Sequence, residues 1–415
     1  MTAHDIAVGA TPTADELDEF AAEARAWLSG HLARRDGPNP SVAVFSDLSF
    51  ERERALLTRI QQWLRTKFDA GYGALTWPAD QGGAGLSPLY EEAFADVERE
   101  FAHPGQHELT SVGTALIAPT VQHFGTPEQR RLVRPLLRGD ELACQLFSEP
   151  GAGSDLAGLA TKAVRDGAGW VVNGRKVWSS GAQFADWGEL IARTDPELPK
   201  HRGLTAFLLP MDTPGVEVRP LRQMSGGSSF CEVFLDDVRI PDSLRLGAVG
   251  EGWSVALTTL GFERGFSGAN AELGGGYAQL LEDARKLGRT GDHDVRRMLA
   301  AVWVAEKVAA LSVQRGREAR LAGDEPGAMG SLRKLAWTQR MKLVSESAAV
   351  LLGPRLVADA GDGTFRWIEH YLGAPGYRIA GGSDEIQRTI IAERLLGLPP
   401  EPRADRGVAW KDIPR

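Results

Sequence analysis

The chain has 415 residues, 43% hydrophobic and 25% charged, an ordinary globular composition with room for two or three domains and large cores. A formal net charge of −8 argues against a general nucleic-acid binder, and two cysteines, Cys144 and Cys231, exclude a disulfide framework and suit a reducing cytoplasm. The opening "MTAHDIAVGATPTADELDEF" lacks a basic region followed by an apolar core, so no signal peptide is read, and nothing approaches the roughly 20-residue apolar run of a membrane span.

Helical signals dominate the first third. Thr13 with Glu16 makes a capping box, after which Leu17, Phe20, Ala21, Ala24, Trp27 and Leu28 follow helical spacing. Leu56, Leu57, Ile60, Trp63 and Leu64 share one face of a second helix. "GYGALTWPADQGGAGLSP" is too rich in Gly and Pro for regular structure. Thr126, Pro127 and Gln129 start another helix, which Gly139 closes.

Near residue 142 the pattern changes to strands. "AVRDGAGWVVNGRKVWSS" holds two runs parted by a turn at Asn173-Gly174, and "GELIARTD", "GLTAFLLPM", "VEVRPL" and "CEVFLDDVRIP" continue the series. "GEGWSVALTTLGFERGF" returns to helix, with Val255, Ala256, Leu260 and Phe262 wanting a core and Glu263 and Arg264 directly beside that face. Two long amphipathic segments, "DVRRMLAAVWVAEKVAALSVQRGREARLAG" and "SLRKLAWTQRMKLVSESAAVLLG", suit an antiparallel bundle. A last helix, "EIQRTIIAERLLGL", precedes a Pro- and Arg-rich tail that reads as a surface arm. The expected organisation is a helical domain over 1–141, a β domain over 142–248, a helical bundle over 249–400 and a tail over 401–415.

Several groups of residues invite chemistry and lose it on inspection. His103 and His107 have the spacing of two metal ligands, but Pro104 and Gly105 break the helix that geometry needs, so they read as loop histidines. Cys144 and Cys231 lack a CxxC partner and read as buried thiols. The glycines of "GAVGEGW" and "GGAGLS" lack the strand, helix and acidic residue of a dinucleotide fingerprint. "QLFSEPGAGSD" is different, because its Gly153-Ser154 loop lets backbone N–H groups and a hydroxyl approach an anionic group. Some twenty residues on, Trp178 can present a flat face to an aromatic cofactor while Ser179 or Ser180 hydrogen-bonds its edge.

"WPADQGGAG", "SEPGAGSD", "NGRKVWSSGA", "DDVRIP", "GEGWSVA" and "GGSDEIQRTIIAERLLG" occur in the order and spacing of acyl-CoA dehydrogenases, and the chain resembles that family over roughly residues 14 to 400. The resemblance implies an α+β multidomain fold: an N-terminal α-helical domain, a middle β-barrel or sandwich domain and a C-terminal four-helix bundle. It also implies FAD as cofactor, an acyl-CoA substrate and an electron-transfer flavoprotein as acceptor. By position, Gln145, Phe147 and Ser148 would line the flavin ring, with Trp178 and Ser180 on its other side. Ser154 would face the pantetheine or pyrophosphate, and Ser383 and Glu385 the adenosine half of FAD.

The sequence departs from the family in two places. Most members carry the glutamate base where this chain has Gly381, whose N–H could still polarise a thioester oxygen. Members resembling isovaleryl-CoA dehydrogenase carry it where this chain has Glu263, with Arg264 following as an orienter. Desolvation in an apolar pocket would raise such a carboxylate's pKa and make it the better base. The Arg-x-x-Phe-Gly and Gln-x-x-Gly-Gly-x-Gly stretches that hold FAD across a subunit interface are also missing from "LEDARKLGRTGDHDVRRML" and "LLGPRLVADAGDG". Such one-sided losses resemble the two-plus-two heterotetramers of actinobacterial sterol-degrading relatives, as against the usual homotetramer. The competing readings are a non-catalytic subunit that completes a partner's FAD site and a flavin monooxygenase or oxidase on the same fold.

Overall fold

The computed structural model describes residues 11–36, 42, 44–45, 48–266, 274–321 and 328–414; the side chains of 263–266, 320 and 321 lie outside the described set. Helices α1 (Ala14–Ser29), α2 (Phe50–Asp69), α3 (Pro88–Glu98), α4 (Glu108–Ser111), α5 (Ala118–Phe124) and α6 (Val133–Arg138) come first. The capping box at α1 is present, with Thr13 Oγ1 accepting from the Glu16 N–H and the Glu16 carboxylate accepting from the Thr13 N–H at 2.7 Å. The same exchange joins Thr126 and Gln129, but the helix it opens begins as a tight turn, Gln129–Leu132, before α6. Gly139 ends α6 at φ 77, a left-handed conformation that glycine adopts without cost. The Gln129 amide then donates to the carbonyls of Ser243 and Arg245, tying this layer to the end of the β module.

The β module is one sheet of eight strands: β1 (Ala143–Leu146), β2 (Lys162–Asp166), β3 (Gly169–Ser180), β4 (Trp187–Arg193), β5 (Leu204–Pro210), β6 (Val216–Leu221), β7 (Phe230–Pro241) and β8 (Arg245–Leu246). Its order is β6-β7-β3-β2-β4-β5-β8, with β1 added parallel to β4. The sheet curls around one core to which Leu190, Phe207, Trp170, Val233 and Ile240 all contribute, and Trp170 on β3 meets Phe207 on β5 at 5.5 Å. Ile191, Ala206 and Leu208 face the other way, against Leu116, Ile117 and Val121 of the helical layer.

Asn173-Gly174 is not the hairpin turn that its sequence suggests. Strands β2 and β3 join at Gly167-Ala168, where Gly167 has φ 56, and residues 173 and 174 lie inside β3 at a bulge. Asn173 exchanges two 3.0 Å hydrogen bonds with Asp237 on β7, and a Cβ on Gly174 would meet Thr161 Oγ1 at 2.2 Å. Close approach of Thr161, the residue ahead of β2, rather than a reversal of the chain, requires the glycine.

Helices α7 (Gly252–Phe266), α8 (Tyr277–Lys286), α9 (His293–Leu321), α10 (Met329–Leu352), α11 (Trp367–Tyr377) and α12 (Asp384–Ile390) complete the chain. Val255 and Ala256 are fully buried and Leu260 packs beside them, whereas Phe262 is 38% exposed, so the apolar face of α7 ends before it. Val42 reaches the bundle core beside Leu280 and Trp367, and Val44 joins Met341 and Ala374.

The tail is not a free arm. Trp410 N–H donates to Leu198 O at 2.9 Å, its indole N–H donates to Gly158 O at 3.2 Å, and the Arg193 guanidinium lies 4.2 Å from its ring centre. Lys200 bridges Asp405 at 2.6 Å and Asp155 at 2.8 Å, joining the tail to the Gly-rich loop.

Candidate active site

Strand β1 runs from the buried Ala143-Cys144 pair into Phe147 and Ser148. Two interactions press this exit against β3. Ser148 O accepts from the Val177 N–H at 2.9 Å, and Phe147 O accepts from Lys176 Nζ at 3.0 Å. Lys176 is fully buried and pairs with Glu149 at 2.9 Å. Glu149 in turn accepts from the Ala160 and Thr161 N–H groups at 2.7 and 2.9 Å. Burial works to raise the Glu149 carboxyl, but Lys176 and these N–H groups leave it lowered, while burial pulls Lys176 down to about 8 against the attraction of Glu149. Neither residue was marked by sequence reasoning; the signal available was one charge of each sign inside the two motifs "SEPGAGSD" and "GRKVWSS".

Trp178 sits at a second bulge of β3, with φ 64 and 59% of its surface exposed. A large aromatic residue in the left-handed region costs roughly 1–2 kcal/mol, so the surrounding strands hold it there at a loss. Its ring meets Phe230 edge-on at 5.8 Å, Phe230 meets Phe45 at 5.5 Å, and Phe45 stacks on Tyr377 at 4.8 Å. This row of rings connects the exposed indole to the end of α11, immediately before the loop that contains Gly381. Ser179 is 2% exposed and its hydroxyl has no partner. Glu108, at the start of α4, has its carboxyl raised by desolvation, with Ser180 acting against that shift. Glu108 is reached by solvent yet crowded by protein, and sequence reasoning gave no sign of it.

Gln145 Nε2 is also buried without a partner. Gly153 and Ser154 are exposed on the loop after Glu149, and an added Cβ at Gly151 or Gly153 would meet nothing within 4 Å. Neighbouring protein therefore does not require these glycines. Ser383 caps α12 by accepting from the Ile386 N–H, and Glu385 is exposed and pairs with Arg388. Gly381 has φ 64; Gln387 Nε2 donates to its carbonyl at 3.0 Å, and Lys334 Nζ donates to Ala380 O at 2.6 Å. The Asp384 carboxylate completes this grip, accepting from Arg378, Thr338 and Gln339.

Glu263 and Arg264 belong to the last turn of α7, and their side chains lie outside the described residues. A cleft of about 700 Å³ runs along the first half of that helix, lined by Trp253, Ser254 and Leu257 together with His201 and Arg202. His107 caps α4 and pairs with Glu53 at 3.1 Å, so it has a structural task, and no cluster of metal-ligating side chains occurs among the described residues. Cys144 and Cys231 are buried and free.

Comparison with known proteins identifies the family. The acyl-CoA dehydrogenase N-terminal, middle and C-terminal domains match residues 47–140, 144–238 and 250–396. The chain is 39% identical over 396 residues to the acyl-CoA dehydrogenase IpdE1 of Mycobacterium tuberculosis, covering 93% of this chain and 99% of that one. The chain belongs to the acyl-CoA dehydrogenase family. Among solved structures, the Tcur3481-Tcur3483 steroid ACAD superposes with a TM-score of 0.75 at 26% identity over 94% of this chain and all of that one. The ChsE4-ChsE5 complex from Mycobacterium tuberculosis superposes with a TM-score of 0.72 at 27% identity over 94% of this chain and 99% of that one.

Acyl-CoA dehydrogenases are FAD-dependent oxidoreductases acting on CH–CH bonds. The features of this dehydrogenase fit such a group. An exposed indole is held at a backbone cost, two buried polar atoms (Gln145 Nε2 and Ser179 Oγ) await partners, and a glycine loop stands open to an anion.

Proposed function

We propose that the chain desaturates the α,β-bond of an acyl-CoA thioester, with Glu263 taking the α-proton. The observation that carries this reading is the loop at Gly381: left-handed, gripped from both sides, and without a side chain where most of the family has its base. Position 263 follows Thr259 by one turn on α7, and Thr259 is itself fully buried against the β module. FAD, when bound, supplies the hydride acceptor.

In this reading Gln145, Phe147 and Ser148 hold one side of the flavin ring, and Trp178, Ser179 and Ser180 the other. Gly153 and Ser154 receive the pyrophosphate or pantetheine, and Ser383 and Glu385 the adenosine half. The Gly381 N–H polarises the thioester oxygen as enolate charge develops, and Arg264 orients the substrate. Likeness to a steroid ACAD makes ring-bearing acyl-CoA thioesters the first substrates to try.

We divide the chain functionally at 1–141, 142–248, 249–400 and 401–415, and assign the work to the cytoplasm with an electron-transfer flavoprotein as acceptor. No helix among the described residues is long and apolar enough to cross a membrane. Assembly beyond a monomer is supported by an exposed apolar stripe on α9, Trp303, Val304, Val308 and Leu311. A heteromer is favoured over a homotetramer. Where the family's FAD-holding arginine stretch would lie, Arg289 is committed to the carbonyls of Val350 and Leu351 at 3.1 and 2.6 Å. The second reading, a subunit that only completes a partner's FAD site, would have to do so without that arginine.

Anaerobic bleaching of the bound flavin by a panel of acyl-CoA thioesters tests the proposal. Glu263→Gln should keep FAD while slowing bleaching by about 10²–10⁴. Bleaching at the parent rate would remove Glu263 from the chemistry, and a chain that carries no flavin when purified alone, but bleaches with a partner, would favour the second reading.

A further inference from the structure

Strand β4 carries one residue that its surroundings do not predict. Its alternation sends Leu190 and Ala192 into the sheet core and Ile191 towards the helices. Glu189 shares the Ile191 face, is 0% exposed, and stands in register with Gln145 on β1 and Leu208 on β5. Thr259 Oγ1 lies 2.7 Å from Glu189 Oε1, 2.9 Å from Thr120 Oγ1 on α5, and 3.1 Å from Val255 O. Thr120 donates to Leu116 O at 2.8 Å, and Glu189 Oε2 has no partner.

We infer that Glu189 is a positioning residue: through Thr259 it pins α7, the helix that carries residue 263, to the strand beside Gln145. The inference rests on the reading that α7 supplies the base. An ionised carboxylate with one bare buried oxygen and no cation is costly, so the proton stays on. Burial pushes the Glu189 carboxyl up to about 8, opposed by the hydrogen bond that Thr259 can donate to the ionised form, and no charge on β1, β5, α5 or α7 among the described side chains adds to this. As a neutral acid Glu189 donates to Thr259, which donates to Val255 O, while Thr120 donates to Leu116 O. Every hydroxyl hydrogen then has an acceptor. A leucine would fill the space at a lower desolvation cost but would leave α7 without a polar tether.

Two variants test this, Glu189→Gln, which keeps a neutral donor, and Glu189→Leu, which does not. The folded pKa is raised above the unfolded value of about 4.3, so the parent's thermal midpoint should fall as pH rises from there towards 8, and Glu189→Gln should lack that component. In Glu189→Leu, amides of Thr259 to Phe262 should exchange faster. Flavin bleaching should slow by about tenfold or more in kcat with little change in KM, and Glu189→Gln should restore most of it. The inference is overturned if Glu189→Leu keeps parent exchange on α7, or if both variants keep the parent's pH dependence. Should no thioester bleach the parent, the proposed reaction fails while the exchange and pH measurements still decide the role of Glu189. Should Glu189→Leu not fold, the pH dependence of Glu189→Gln decides it.

Discussion

Replacing Lys176 with methionine keeps the aliphatic stem and removes an ammonium that donates to Phe147 O and to Glu149. The Glu149 carboxylate is left 9% exposed, still accepting from two backbone N–H groups but without its counter-charge. Breaking a buried pair by removing one partner costs about 3–5 kcal/mol. The two remaining N–H groups place this case near the lower end, about 3 kcal/mol. Urea unfolding followed by tryptophan fluorescence measures the loss, and a double-mutant cycle with Glu149→Gln isolates the pair, with a coupling of about 2 kcal/mol expected. FAD content should fall as well, because the Phe147 carbonyl loses its tether to β3 beside Ser148. A Lys176→Met protein that loses less than about 1 kcal/mol and keeps full FAD would refute the reasoning, since the pair would then be neither stabilising nor needed to shape the site.

Trp178→Gly relieves the positive φ of 64, so stability without FAD should hold or rise by about 1 kcal/mol while FAD affinity falls; equal affinity would take the indole out of the site. Trp410→Ala should cost about 1–2 kcal/mol and speed hydrogen exchange at Lys411, whose N–H bonds to Pro196 O; unchanged exchange would mean that the tail docks without it. Burial lowers His370 to about 4, below its unfolded value near 6.5. The unfolded chain therefore binds the extra proton across that window, and stability should drop as pH falls from about 6.5 to 4, a slope that His370→Asn should reduce in urea titrations at several pH values.

Much of the architecture was legible because it depends on neighbours in the chain. The capping boxes at Thr13-Glu16 and Thr126-Gln129 need groups three residues apart, and the apolar spacing of α1 needs a single turn of helix. The motif order from "WPADQGGAG" to "GGSDEIQR" likewise identifies the family and nominates candidates for a flavin site. What sequence could not give was the partner of each polar group. Asn173-Gly174 reads locally as a turn, yet Asn173 bonds Asp237, 64 residues away, and the glycine answers to Thr161 just ahead of β2. Nothing in "GELIARTD" marks Glu189 until Thr259, 70 residues on, is placed against it, and Trp410 reads as part of a surface arm until Gly158, 252 residues back, accepts its N–H. Periodicity and caps are written in the chain because they act over one turn of helix or one step of strand. The charge state of Glu189, the strain at Trp178 and the burial of Lys176 were decided only when distant segments packed together and excluded water from between them.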